Sequence, residues 1–219
     1  MGAVMMITEQ QIRQMLPAAG ARLDPHLPYI SAALAWGNIV TPADVCAFFA
    51  HLAHESGEYR YMREIHDGSD YEGRLDLGNT EPGDGRRYPG RGPIQVTGRA
   101  AARAAGQALG IDFEEHPEKM ELPEWGTKVA VWFWTRYKPV LQPAAKAEWF
   151  HVTQRLVNGG ENGWDDRLQY YHRNRLLFAL PRYREMDEDA SIRAFQRDCG
   201  LEVDGKAGPK TLAALIRAS

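Results

Sequence analysis

The 219-residue sequence is poor in three features that define whole classes of protein. It has only two cysteines, Cys46 and Cys199, far apart in the chain, so no disulfide framework is predicted and both are expected to behave as small apolar residues. No run of about eighteen apolar residues occurs, so no segment is predicted to span a membrane. The net charge is only −3 and the pI is near 6.2, which gives no overall attraction to nucleic acid or to an anionic membrane.

The remaining composition is typical of a globular chain with one main core. At 44% hydrophobic residues, the sequence can bury the core of one domain and a small appendage. The apolar opening segment, residues 1–7, is short and has no basic flank, which makes it a poor signal peptide. We therefore expect the protein to be made and folded in a cytoplasm, and to need a separate release step if it acts outside one.

Helix signals occur along most of the chain. Thr8 followed by Gln11 is a capping-box pattern, and Thr41 followed by Pro42 is a typical helix start. After Pro42, apolar residues recur at i, i+3, i+4 and i+7, so one stripe of this helix is expected to face a core. The stripe consists of Val45, Phe48, Phe49 and Leu52. Further helices are predicted over residues 100–109, 125–137, 150–157 and 164–180.

One long segment lacks any helical period. Residues 67–92 are rich in glycine, aspartate, arginine and proline, so they are predicted to form loops or at most a small β-ribbon. The sequence thus predicts a mainly α fold with one irregular lobe, and loops on a rigid scaffold are where function concentrates. We divide the chain into a main domain, residues 1–181, and a linker with a small helical tail, residues 182–219. The tail is expected to pack against the main domain or to be part of a larger module.

Two glutamates lie at the edge of the predicted irregular lobe. Glu55 lies about 60° around the helix from Leu52, at the border of the buried stripe, where partial loss of hydration suits a carboxyl to act as a general acid. Glu64 would be half a turn out of phase if the helix continued, but Gly57 offers a break that lets Glu64 face Glu55 across a cleft. An inverting glycosidase holds two such carboxyls about 6.5–9.5 Å apart, with the attacking water between them.

Four motifs around these acids resemble those of a known family. In chain order they are His54-Glu55-Ser56-Gly57, Tyr88-Pro-Gly-Arg-Gly-Pro-Ile-Gln-Val-Thr-Gly98, Val157-Asn158-Gly159-Gly160 and Asp166-Arg167. Over residues 40–180 the sequence is similar to glycoside hydrolase family 19, the chitinase family, and especially to its short phage and bacterial endolysin branch. The resemblance implies a lysozyme-like, two-lobed helical fold that hydrolyses β-1,4 links between N-acetylated sugars with inversion. We expect no cofactor and no metal.

The resemblance also implies roles for individual residues. Glu55 matches the general acid, Glu64 matches the base that activates water, and Thr97 matches the hydroxyl that helps to hold this water. Three further residues match positions that line the sugar groove or tie the acids in place: Gln95, Asn158 and Arg167. Arg167 is expected to keep Glu64 ionised by charge pairing.

Aromatic residues are candidate platforms for sugar rings. Tyr88 and Trp125 are the two that we select, although Trp125 fits a buried core position equally well. The sequence also departs from the family pattern, since relatives usually continue after the threonine with Gly-Arg-x-Asn-Tyr, and here Ala101 and Ala102 replace the Asn-Tyr pair. Sugar contacts at that point of the groove are therefore expected to differ.

The end of the chain carries a second resemblance. Residues 191–212 are similar to the second half of the peptidoglycan-binding domain common in cell-wall hydrolases. Together these features predict a monomeric phage or prophage endolysin that cuts the glycan strands of peptidoglycan, without nucleic-acid binding or membrane insertion. It would be made in the host cytoplasm and would act on the cell wall after release by a holin-type partner. Two alternatives remain open: a chitinase on the same scaffold, and a catalytically inactive wall-binding protein.

Three weaker patterns point elsewhere. His51, His54 and Glu55 suggest zinc, but the spacing is not that of a zinc protease and no third ligand is evident. The segment from Gly200 to Lys206 approaches a phosphate-binding loop, but alanine follows the lysine where such a loop needs Ser or Thr. A local group of arginines is either a solvated face or a contact for an anionic polymer. Its members are Arg86, Arg87, Arg91, Arg99 and Arg103.

Overall fold

A computed structural model describes residues 7–179 and 188–205, together with residues 210, 211 and 214. Within these residues the chain is mainly α-helical and forms no β-sheet, only isolated antiparallel bridges from Arg91 to Arg63 and to Val96. The helices are α1 Glu9–Met15, α2 Leu27–Trp36, α3 Pro42–Ser56, α4 Asp84–Arg87, α5 Arg99–Leu109, α6 Pro123–Trp132, α7 Leu141–Lys146, α8 Phe150–Asn158, α9 Trp164–Ala179 and α10 Glu188–Asp198. The predicted fold class, helical with one irregular lobe, is confirmed.

The helix starts follow the predicted caps. The Thr8 hydroxyl accepts from the Gln11 amide while the Gln11 side chain accepts from the Thr8 amide, which completes the capping box of α1. The Thr41 hydroxyl accepts from the Asp44 amide and so caps α3, with Pro42 in the first turn. Helix α3 ends at Gly57, whose left-handed conformation (φ 54°) lets the chain turn back toward the irregular lobe.

Helix α3 is the central element of the core. The sequence predicted one buried stripe, but every residue from Asp44 to Ala53 is buried. The prediction of a single stripe was too narrow, because α9 packs along one side of α3 while α1, α7 and α8 cover others. A helix surrounded in this way has no solvent face to show as an amphipathic pattern.

The predicted helix over residues 125–137 is two kinds of helix in succession. Helix α6 continues into a π-helical turn, Phe133–Tyr137. Trp134 in this turn is fully buried, and its indole N–H donates to Asp44 Oδ1 at 2.8 Å. The wider turn brings Tyr137 to the surface, where 38% of the residue is exposed. Insertions of this kind often lie at functional sites because they redirect side chains out of the helical period.

The irregular lobe, which joins α3 to α5, is held by polar contacts. Short 3₁₀ turns occur at Ser69–Tyr71 and Leu75–Leu77. The buried Asn79 donates to the Tyr71 carbonyl and accepts from the Arg99 amide, both at 2.9 Å. Arg99 also donates from Nε to Asp84 at 2.8 Å. These contacts attach the lobe to the start of α5 without a sheet.

Helix α2 and the C-terminal tail are the two parts of the chain where the structure adds to the sequence prediction. Helix α2 was not predicted, since it has no side-chain N-cap and no clear apolar stripe. In the tail, Ile192 and Phe195 of α10 pack against Leu176 of α9. Residues 182–187 of the expected linker, and most of the expected second tail helix, lie outside the described residues.

Among the helices that are described, none is both long and apolar enough to cross a membrane.

Candidate active site

A cleft of about 1000 Å³ lies between the helical body and the irregular lobe. Glu55 reaches it from the last turn of α3, and Glu64 reaches it from the loop that follows. Three other predicted site residues also line it: Gln95, Thr97 and Asn158. The structure therefore brings together the two acids and three of the residues that the family motifs single out, although 103 positions separate Glu55 from Asn158.

Glu55 is paired with a buried cation. Arg167 Nη2 donates to Glu55 Oε1 at 2.7 Å, and the Arg167 side chain is completely buried while 18% of the Glu55 side chain is exposed. Arg167 was expected to line the groove or to tie the acids in place, and to keep Glu64 ionised. It does tie an acid in place, but that acid is Glu55, so the expected pairing with Glu64 was wrong. Its burial also rules out the expected contact with substrate. The reason is that α9 packs directly on α3, so the first turns of α9 meet the last turn of α3 behind the cleft wall.

The two family motifs on α3 and α9 meet residue by residue. While Arg167 pairs with Glu55, Asp166 Oδ2 lies 2.6 Å from His54 Nδ1. Gly163 makes room for this second pair, because a Cβ atom there would lie 2.3 Å from His54 Cε1. Adjacent residues on one helix thus contact adjacent residues on the other, and this fixes the register of α9 against the acid.

Glu64 is held by neutral donors instead. The Tyr71 hydroxyl donates to its Oε1 and the Gly90 amide donates to its Oε2, both at 2.8 Å, while the Glu64 amide donates to the Gly90 carbonyl. These two donors, on opposite oxygens, fix the orientation of the Glu64 carboxyl. Burial, followed by the contact with Glu64, raises the pKa of Tyr71 to about 12, so its hydroxyl stays protonated and able to donate. Sequence reasoning missed Tyr71, which has no distinguishing pattern around it.

Gln95 and Thr97 form a strained turn beside Glu64. Gln95 has φ 57°, which is uncommon for a residue with a side chain and is typical of functional sites. Its Nε2 donates to the carbonyls of Tyr61 at 3.0 Å and Gly92 at 2.8 Å, so the amide nitrogen is used to hold the turn. The Thr97 hydroxyl donates to the Gln95 carbonyl at 3.1 Å, which leaves the hydroxyl oxygen as an acceptor on the cleft wall.

The expected aromatic platforms are not on the cleft. Tyr88 is only 1% exposed, and its hydroxyl donates to the Glu114 carbonyl at 2.8 Å, so the ring belongs to the core and its predicted contact with substrate was wrong. Trp125 packs edge-on against Phe113, with ring centroids 6.0 Å apart. The cleft instead has aromatic, acidic and cationic residues that the sequence analysis did not select: Tyr61, Tyr71, Asp76, Tyr137, Lys138 and Arg155.

The departure from the family pattern falls partly on the cleft. Ala101, at the third position of α5, lines the cleft, whereas Ala102 is fully buried beneath it. The first alanine therefore leaves a small apolar spot in the wall, and the second one fills a core position.

The structure gives no support to a zinc site at His51 and His54. Both ring nitrogens of His51 are engaged, Nε2 with the Thr153 hydroxyl at 2.9 Å and Nδ1 with Arg167 Nη1 at 3.0 Å, so neither is available to a metal. In the part of the chain that the structure describes, no three His, Cys, Asp or Glu side chains are grouped so that they could hold a metal ion. Lys206 of the loop-like segment lies outside them.

The arginine group is neutralised by its surroundings. Each member has an acidic partner within ion-pair distance and none of the five lines the cleft, which weakens the interpretation of the group as a contact for an anionic polymer. The pairs are Arg86 with Asp67, Arg87 with Glu115, Arg91 with Glu121, Arg99 with Asp84 and Glu114, and Arg103 with Glu114.

Comparison with known families gives two matches. The family described as Chitinase class I, glycoside hydrolase family 19, matches residues 41–165, which include Glu55, Glu64 and Thr97. A peptidoglycan binding domain family matches residues 189–215.

Curated relatives and solved structures agree with the first match. An endochitinase of Arabidopsis thaliana is 32% identical over 163 residues, which cover 70% of this chain and 60% of the relative. Basic endochitinase CHB4 of Brassica napus is 33% identical over 144 residues, covering 62% of this chain and 52% of the relative. The chain thus spans little more than half of the length of these relatives.

The fold is shared with solved bacterial enzymes. A bacterial family 19 chitinase superposes with a TM-score of 0.67 at 24% identity, covering 78% of this chain and 94% of the other. Chitinase C from Streptomyces griseus superposes with a TM-score of 0.64 at 23% identity, covering 79% and 92%. At such identities the superpositions establish the fold, and the sequence match over residues 41–165 establishes the family. The chain belongs to glycoside hydrolase family 19.

Proposed function

We propose that this protein hydrolyses β-1,4 glycosidic bonds in the glycan strands of peptidoglycan, as the endolysin of a phage or prophage. The observation that carries the proposal is that Glu55 and Glu64 line one cleft and are held by different kinds of group, a buried cation and neutral donors. Two carboxyls in unlike environments are what an acid and a base acting in one reaction require.

The chemistry assigns one proton transfer to each carboxyl. Glu55 protonates the leaving glycosidic oxygen as the bond to the anomeric carbon breaks, and Arg167 stabilises the carboxylate that Glu55 becomes. Glu64 takes a proton from the water that attacks the opposite face of the sugar, while the Thr97 hydroxyl oxygen helps to orient this water. Exchange with solvent then restores the proton on Glu55 and removes the one on Glu64.

Two exposed cations on the cleft wall support peptidoglycan as the substrate. Lys138, at the end of the π turn, and Arg155, in α8, both line the cleft and are exposed. The ion pair of Arg155 with Glu161 is exposed on both sides, so it is weak and easily exchanged. Chitin carries no charge, whereas peptidoglycan carries carboxylates on its peptides, so these cations favour an anionic polymer. Gln95 and Asn158 would supply neutral contacts to the sugars.

The tail supports the same substrate. The peptidoglycan binding domain match covers residues 189–215, and we propose that residues 182–219 are a linker and wall-binding tail beside a catalytic unit of residues 1–181. We further propose that the protein is a monomer that is made in the host cytoplasm and reaches the wall with a holin-type release partner. A chitinase is the second candidate, favoured by curated relatives that are endochitinases. A catalytically inactive wall-binding protein is the third.

One experiment separates the three candidates. Purified sacculi and chitin oligomers are digested side by side with the wild type, Glu55→Gln and Glu64→Gln, and the reducing ends released are identified by mass spectrometry. We expect the wild type to release glycan fragments from sacculi, and each variant to lose most of this activity while still pelleting with the wall. Activity on chitin alone would identify a chitinase. Pelleting with the wall without release of reducing ends by any of the three proteins would identify a binding protein, and equal release by all three would contradict the roles of Glu55 and Glu64.

A further inference from the structure

We infer that the buried His51 is a positioning residue, which orients Arg167 and through it the proposed acid Glu55. The inference rests on the proposed function, because it assigns His51 a part in the same reaction. His51 is fully buried, so it acts without touching the cleft. It stands one helical turn before Glu55 on α3 and bridges α3 to both α8 and α9.

A chain of hydrogen bonds with only one possible direction connects these residues. The Thr153 hydroxyl donates to the Phe150 carbonyl at 2.8 Å, so its oxygen accepts from His51 Nε2 at 2.9 Å. His51 Nδ1 then carries no proton and accepts from Arg167 Nη1 at 3.0 Å, because a guanidinium can only donate. Arg167 Nη2 completes the chain at Glu55 Oε1. His51 is therefore neutral, with its proton on Nε2.

The surroundings hold His51 in this state. Burial, reinforced by the positive charge of Arg167 and by His54, keeps the pKa of His51 well below its ordinary value. Its ring stacks on Phe150 with centroids 5.0 Å apart and lies 5.6 Å from the Trp134 ring. The imidazole plane and its hydrogen-bonding polarity are thus set by the core.

Arg167 depends on this arrangement. Its Nε is buried and makes no hydrogen bond in the described structure, so the two terminal nitrogens alone orient the guanidinium, one toward His51 and one toward Glu55. Without the acceptor on His51, the guanidinium keeps its charge but can rotate away from the acid. Because positioning errors act on the reaction step rather than on substrate binding, the expected change is in kcat and not in KM.

The test compares His51→Leu with His51→Gln. Glutamine can accept from Arg167 through its oxygen and donate to Thr153 through its nitrogen, whereas leucine can do neither. On sacculi, and on soluble glycan fragments for KM, we expect kcat of His51→Leu to fall about tenfold or more with KM unchanged, and His51→Gln to stay within about threefold of the wild type. Asn174→Leu is the matched control, since Asn174 is equally buried on α9 but donates to the Cys46 carbonyl instead. It should lower Tm and leave kcat unchanged.

A second pair of variants keeps the test decisive if His51→Leu does not fold. Thr153→Val removes the acceptor for His51 Nε2, while Thr153→Ser keeps it, so kcat should fall only in the first. Unchanged kcat in His51→Leu or Thr153→Val, or an equal loss in His51→Gln and His51→Leu, would overturn the inference. If Glu55→Gln loses activity while His51→Leu keeps it, this inference alone is overturned. If Glu55→Gln keeps full activity, the proposed function is overturned as well.

Discussion

Arg167 donates a 2.7 Å hydrogen bond to Glu55, whereas Glu64, which lines the same cleft, is paired with no cation among the described residues. Glu64 instead receives one hydroxyl and one backbone amide. The two carboxyls are therefore stabilised by different means, and a change to either set of partners should affect the reaction differently. The first two predictions use this difference.

Arg167→Lys should reduce both activity and stability. Lysine keeps the charge, but its single nitrogen cannot reproduce the fork that contacts Glu55 and His51 together. Removing one partner from a buried ion pair costs about 3–5 kcal/mol, and this substitution, which keeps the charge, should cost less. We expect a lower Tm and at least about a tenfold loss of kcat, measured by thermal unfolding and reducing-end release.

Arg155→Lys is the matched control for Arg167→Lys. Arg155 makes an exposed pair with Glu161, which contributes little to stability, so its Tm should stay near the wild-type value. If the two lysine variants shift Tm equally, the buried pair has no special role.

Tyr71→Phe should weaken Glu64 as a base. The substitution keeps the ring and removes only the hydroxyl that donates to Glu64 at 2.8 Å. Because this hydroxyl helps to hold the Glu64 carboxylate in position for the attacking water, its loss should lower kcat/KM on sacculi by about tenfold. Tyr29→Phe, at an exposed position outside the cleft lining, should have no effect. Wild-type kcat/KM in Tyr71→Phe would contradict the assignment.

Asp44 should make stability depend on pH. It is fully buried at the start of α3, and burial raises its pKa from 3.8 to about 6, although Trp134 and Gln142 donate to it and oppose this shift. Between about pH 4 and 6 the folded protein keeps a proton that the unfolded chain has lost. The unfolding free energy contributed by Asp44 is therefore greatest below pH 4 and is lost as the pH rises through 6, by about 3 kcal/mol.

Asp44→Asn isolates this contribution from the other carboxyls. The unfolding free energy of the wild type, relative to the variant, should decline between about pH 4 and 6 and stay level above about pH 7. Denaturant unfolding across this range measures it. Asp165→Asn, an exposed substitution, should give a curve parallel to the wild type. If the unfolding free energies of Asp44→Asn and the wild type change in parallel with pH, Asp44 does not titrate in this window.

Lys138→Glu combined with Arg155→Glu should change substrate preference. Reversing both charges on the cleft wall should raise KM on sacculi by about tenfold at low salt, with little change on neutral chitin oligomers. The effect should shrink as ionic strength rises. Arg22→Glu, exposed and outside the cleft lining, is the control. Equal changes on both polymers would argue against recognition of an anionic substrate.

Much of the local structure was predictable from neighbouring residues. Thr8 and Thr41 start helices because a side-chain oxygen beside free amides is a local effect, and Gly57 ends α3 because glycine adopts positive φ at low cost. The loop composition of residues 67–92 predicted the irregular lobe. The same break at Gly57 allowed Glu64 to be expected on the same cleft as Glu55, and both line it.

The partners of these residues were decided only by the tertiary structure. The Arg167–Glu55 pair, the Tyr71–Glu64 contact and the burial of Tyr88 depend on how α9, the irregular lobe and α5 pack, and no local pattern encodes those distances. By itself, the sequence determined where α1 and α3 begin and where α3 ends, and it singled out Glu55 and Glu64 as the candidate acids. Packing decided that Glu55 meets a cation, that Glu64 meets a hydroxyl and that the Tyr88 ring is buried. Ion pairs and hydrogen bonds of this kind join groups that come together only after the helices assemble.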